Sequence, residues 1–129
     1  MASITKQIGV SDADAAWAPI RDFGGAVRAF PGMLKQCTVE GDVRTVTFAN
    51  GNVVQERLVG VDEERRRVAY GVVGGRFTHH NASLSVAFMP GGGGVVIWTT
   101  DMLPDEAAAI VEPLMEAGLK ALAKAVQSD

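Results

Sequence analysis

Five side chains in this sequence carry chemistry of a kind that could form a site: Lys35, Cys37, Glu56, His79 and His80. Lys35 lies between Met33 and Cys37 at two-residue spacing, while Gln36, Thr38 and Glu40 take the alternate positions. In a strand that spacing puts Lys35 on the apolar face with Met33 and Cys37. An exposed strand lysine is the competing reading, because lysines are seldom buried. Glu56 poses the same question. It alternates with Val54 and Leu58, whereas Gln55 and Arg57 share the other face. A carboxylate buried there must be paired or protonated, and Lys35 is the partner the pattern offers. Such a pair could be structural, hold the polar end of a ligand, or move protons.

His79 and His80 are adjacent, so a strand sends them to opposite faces, and they cannot chelate one metal together. Either could serve as an acid or base at a cavity mouth, and spacing alone leaves the choice open. No metal site is expected. Cys37 reads as a small inward residue; a nucleophilic role would need a depressed pKa for which Lys35 is the sole support. No Ser/His/Asp order and no dinucleotide fingerprint is present.

The elements that must position these residues are readable from periodicity. Ser3 to Val10 alternates, with Ile4, Ile8 and Val10 on one face. Ser11 or Asp12 caps a short helix to about Arg21, and Ala26 to Phe30 adds a second. Strands follow over Met33–Glu40, Arg44–Phe48, Val53–Val61, Val68–Val73, His80–Met89 and Val95–Met102. Asn50-Gly51-Asn52 turns one hairpin, Asp62 to Arg66 another, and Gly91 to Gly94 a third. The glycine run precedes no helix and no Lys-Ser/Thr, so it is a turn and not a phosphate loop.

Asp105 to Gln127 spells one amphipathic helix of roughly 34 Å, with Ile110, Leu114, Leu119, Leu122 and Val126 on a stripe beside Val111 and Met115. Pro113 should bend it without ending it. Ala117, Gly118 and Ala121 put small side chains on its inner face, where they could leave room for a ligand. Six consecutive strands with short turns make an antiparallel meander, because parallel pairing needs crossover helices. Such a twisted sheet can wrap the last helix.

Composition sets the outer bounds. The 129 residues suit one domain over 1–129, and 47% apolar residues suffice for a core. A net charge of −3 argues against a nucleic-acid partner, and Arg65-Arg66-Arg67 reads as a solvated turn. A single cysteine rules out an internal disulfide, and no apolar run is long enough to span a membrane. The expected setting is the cytoplasm.

The element order and four stretches resemble the START/SRPBCC superfamily, the birch-pollen-allergen fold. The stretches are Trp17 with Arg21-Asp22-Phe23; Lys35 to Glu40; Glu56-Arg57-Leu58 with Val61-Asp62; and Val72 to Gly75 with Asn81. Leu119 to Ala123 agrees as well. Within the superfamily the chain resembles the bacterial polyketide cyclase/dehydrase and lipid-transport group, and it is similar to the plant PYR/PYL abscisic-acid receptors. The resemblance implies an α+β helix-grip: a curved seven-stranded antiparallel sheet around a long C-terminal helix, two short helices after the first strand, and a cavity between sheet and helix. It implies a cavity lined by Lys35, Glu56, Tyr70, His79, Ala82, Trp98, Ile110, Leu114 and Gly118, and strand parity adds Cys37 beside Lys35. Lys35 matches the position whose ammonium meets the ligand carboxylate in the plant receptors, and the family match prefers His79 over His80.

The receptors' Ser-Gly-Leu-Pro-Ala gate is absent, Phe77-Thr78-His79 stands for their latch, and Ala82 replaces a pocket tyrosine. Gated hormone sensing is therefore not expected. The implied function is binding or carriage of a small hydrophobic molecule with a polar end, with no cofactor; a homodimer stays open. The alternative is an aromatase/cyclase-like enzyme using Lys35, Glu56 and His79 as acid/base groups.

Overall fold

The computed structural model describes residues 2–127. Strand β1 spans Ala2–Val10, helix α1 Ala13–Arg21, a 3₁₀ turn Phe23–Gly25, and α2 Ala26–Ala29. Strands β2 (Leu34–Glu40), β3 (Val43–Phe48), β4 (Val53–Asp62), β5 (Arg67–Val72), β6 (His79–Phe88) and β7 (Gly94–Leu103) follow. A 3₁₀ turn at Asp105–Ala107 leads into α3, Ala108–Ala125.

The seven strands form one antiparallel sheet in the order β1-β7-β6-β5-β4-β3-β2. β2 to β7 are the expected meander, and β1 returns to pair with β7. The architecture is the helix-grip: a curved open sheet with α3 on its inner side and two short helices after β1. Asp12 caps α1 by accepting from the Ala15 N–H at 3.0 Å, which satisfies one of the free donors of the first turn.

Helix α3 runs unbroken through Pro113. Pro113 is the sixth residue of α3 and is exposed, as is Ala109, whose carbonyl the missing N–H leaves without a helical donor. The buried stripe is Val111, Met115, Gly118, Leu119 and Leu122. This corrects the expected stripe at its N-terminal end: Ile110 is 46% exposed and Leu114 38%. Ala117 is exposed too. Both candidate stripes obey helical spacing; the sheet selects the one centred on Met115, which packs with Ile4, Met102 and Ala107. Lys6 on β1 reaches across to Glu116 at 3.0 Å and Glu112 at 3.1 Å, one turn apart on α3. These carboxylates, Glu116 foremost, hold the Lys6 ammonium above its usual pKa.

Candidate functional site

Strands β3, β4, β5 and β7 carry the inward charge and hydroxyl groups. On β3, Arg44, Val46 and Phe48 share the face that Thr45 and Thr47 do not. The Asn50-Gly51-Asn52 hairpin sets the register of β3 on β4, pairing Val46 with Val54 and Arg44 with Glu56. Arg44 Nε donates to Glu56 Oε1 at 2.7 Å, with side-chain exposures of only 8% and 13%. The guanidinium also donates through Nη1 to the Phe23 carbonyl at 3.1 Å. Its Cζ lies over the rings of Phe23, at 4.3 Å, and Tyr70, at 5.1 Å. Arginine tolerates this site because its planar cation stacks on rings and is only weakly hydrated.

Glu56 thus faces inward, as the alternation requires, but its partner is Arg44 and not Lys35. Lys35 is exposed. The cause is a β-bulge. Leu34 pairs with Phe48 and Gln36 with Thr47, so Lys35 is an extra residue without an opposite number. The bulge puts Leu34 in the core and leaves Lys35 outside, where unbroken alternation would reverse them. The bulge therefore keeps Lys35 from pairing with Glu56, contrary to the alternation.

The histidines also exchange roles. His79 is exposed and borders a solvent-open groove with Arg57, Asn81 and Asp101. His80 lines the interior cavity. It shares strand parity with the buried Ala82, Leu84 and Val86, a signal legible in the sequence. The backbone N–H of Val72 donates to His80 Nδ1 at 3.1 Å, where β5 parts from β6. That bond leaves the proton of the neutral ring on Nε2. Burial first, and the neighbouring His79 second, lower the His80 pKa to about 4. Phe77 packs on the ring at 4.8 Å between centroids.

These side chains border a cavity of about 120 Å³ between the sheet and α3. Its apolar lining includes Phe30, Met33, Val46, Phe48, Val54 and Met115; its polar groups are Arg44, Glu56, Tyr70, His80 and Thr100. Tyr70 accepts from Trp98 Nε1 at 3.1 Å. Burial first, and the nearby Glu56 carboxylate next, push the Tyr70 pKa well above that of an ordinary phenol. Of the remaining expected residues, Trp98 and Leu114 line the cavity. Leu114 lies where it meets solvent. Ala82 is fully buried in the sheet face between Tyr70 and Thr100. Cys37 is part-buried against the Phe23 carbonyl, its Sγ at 3.9 Å. Neither Cys37 nor Ile110 borders the cavity.

Gly118 has a different role from the one expected. A Cβ there would stand 2.8 Å from Trp98 Cζ3, 3.3 Å from Met33 Sδ and 3.4 Å from Phe30 Cδ1. The space beside Gly118 is filled by Trp98, which stacks on Phe30 at 5.3 Å. Gly118→Phe should therefore cost stability, about 1–3 kcal/mol or more through overpacking. Urea unfolding would show it; an unchanged midpoint would mean that Trp98 moves aside freely.

Among the described residues no cluster of three His, Cys, Asp or Glu could hold a metal. No described helix is long and apolar enough to cross a membrane.

The same architecture recurs in solved structures. A Bacillus thuringiensis protein is 20% identical, with 97% of this chain and 98% of that one aligned at a TM-score of 0.86. A Thermobifida fusca protein is 27% identical over 95% and 91%, at 0.79. A point mutant of norcoclaurine synthase from Thalictrum flavum is 24% identical over 97% and 93%, at 0.73. No curated protein matches the chain. Residues 1–127 match the family described as polyketide cyclase/dehydrase and lipid transport, so the chain belongs to that family.

Proposed function

We propose that this protein binds a small, mainly apolar molecule in the cavity between the sheet and α3, and carries it without transforming it. The observation behind this reading is an apolar cavity of about 120 Å³ with its few polar groups gathered on β3 to β7. That arrangement is what a small-molecule site needs: apolar walls for affinity and convergent polar groups for orientation. The volume suits one ring or a short chain, since an apolar protein cavity of about 150 Å³ takes up benzene. The neighbouring fold of norcoclaurine synthase has been seen with dopamine and hydroxybenzaldehyde, both single-ring compounds. Fold likeness at that distance supports the location of a site and not its chemistry.

The cyclase/dehydrase alternative draws less support from the electrostatics. A general base works best with a pKa near the working pH. His80 is held at about 4, and Tyr70 is shifted away from neutrality in the other direction. Glu56 is committed to Arg44.

Toluene is a suitable first probe. Titrating it into labelled protein should give saturable methyl NMR shifts confined to Val46, Val54, Leu114 and Met115. Val54→Phe should abolish them by filling the cavity. Shifts scattered over the outer face, or no saturation, would refute the cavity reading.

A further inference from the structure

The polar wall of the cavity is neutralised before any ligand enters. Arg44 has its Nε on Glu56, its Nη1 on the Phe23 carbonyl, and its Cζ over the rings of Phe23 and Tyr70. The other polar groups that line the cavity are the Tyr70 hydroxyl, the His80 ring and the Thr100 hydroxyl. Thr100 is 1% exposed, and its Oγ1 has no hydrogen-bond partner among the described residues. A buried hydroxyl left unpaired is destabilising, so a native one calls for a reason.

The register shows what surrounds it. Ala82 stands opposite Thr100 on β7 and opposite Tyr70 on β5. A methyl-sized side chain thus separates two hydroxyl-bearing residues on the same sheet face. His80 lies two residues before Ala82 on that face, with Nδ1 already taken by Val72. Its Nε2–H, the Tyr70 O–H and the Thr100 hydroxyl offer donors and acceptors without net charge.

We propose that Thr100, with Tyr70 and His80 beside it, forms a subsite for an uncharged hydroxyl or carbonyl group carried on a single-ring or short-chain apolar body. The proposal rests on the cavity-binding reading and adds the chemical class of the ligand. A carboxylate is disfavoured: it would have to displace Glu56 from Arg44 or lie beside it as a like charge in a low-dielectric site. The plain apolar molecule is disfavoured as well, because it leaves the Thr100 hydroxyl unpaired.

Three probes built on one methylbenzene ring separate these cases: toluene, p-cresol and 4-methylbenzoate, titrated by NMR at pH 7.5. p-Cresol should bind about three- to tenfold more tightly than toluene, the worth of one neutral hydrogen bond. 4-Methylbenzoate should bind weakest. Thr100→Val keeps the side-chain shape and removes the hydroxyl; it should erase the advantage of p-cresol while toluene binds as well or better. Thr100→Ser should keep the advantage, and it serves as the second variant should Thr100→Val fold poorly. Tightest binding of 4-methylbenzoate would overturn the proposal, and so would equal weakening of toluene and p-cresol by Thr100→Val. If toluene binds and p-cresol gains nothing, the subsite falls while the cavity reading stands. If toluene does not bind, the cavity reading falls and the subsite falls with it.

Discussion

Arg44→Met should destabilise the protein by about 3–5 kcal/mol, because it strands the buried Glu56 carboxylate without its counter-charge. Glu56→Leu should cost a similar amount by leaving Arg44 unpaired between Phe23 and Tyr70. Against a total stability of about 5–15 kcal/mol for an ordinary domain, either loss brings the protein near its folding threshold. The double variant should recover part of the loss, since it removes both buried charges along with their attraction. The pair is only 8% and 13% exposed, so added salt should screen it little. Urea unfolding of the four proteins gives the coupling energy directly. A coupling near zero would mean that each charge finds water in solution, and the polar wall described above would not exist.

The second large effect is a loss of stability in mild acid that comes from His80. Its folded pKa is about 4, below the ordinary histidine value of 6.5. The folded state therefore binds fewer protons than the unfolded chain between those two values. The stabilisation is fully present above about pH 6.5 and is lost as the pH falls toward 4. His80 keeps some contact with solvent, which weakens the effect; after that discount we expect on the order of 1–2 kcal/mol. Between pH 6.5 and 5 most carboxylates are still ionised, so the slope there belongs mainly to histidine. His80→Gln can still accept from the Val72 N–H and should flatten the slope in that window. A slope unchanged by His80→Gln would place the acid sensitivity elsewhere. Ligand binding should hold across that window and weaken only as the pH nears 4, where the folded-state His80 itself takes up a proton and brings charge to a wall built neutral.

The element order, the hairpin turns and most strand limits are legible in the sequence because period-two alternation and turn residues are local signals. The inward position of Glu56 is legible for the same reason. Arg44 could have been found too. It alternates with Val46 and Phe48, and counting back from the Asn50-Gly51-Asn52 turn sets it opposite Glu56. The choice of His80 over His79 follows from the parity of Ala82, Leu84 and Val86. What alternation cannot give is a break in its own count, and the bulge at Lys35 is such a break. Nor can helical periodicity alone choose between the Ile110–Leu114 stripe and the Val111–Met115 stripe; the sheet decides that. The role of Gly118 depends on a contact with Trp98, twenty positions earlier, that no local pattern encodes.

The bulge between Leu34 and Gln36 has a consequence for how such proteins diversify. It is a frame in the reading of a strand, and a frame can be shifted by a single codon. Removing Leu34 alone would restore strict alternation and set Lys35 opposite Phe48, on the face toward the ligand space, exchanging a neutral recognition wall for a cationic one. No new strand, no new loop and no redesign of the helix would be required. On this scaffold, a one-residue deletion at an edge strand is a short mutational route between ligands of different charge, and comparing strand lengths at this bulge should be more informative about ligand preference than comparing the lysine itself.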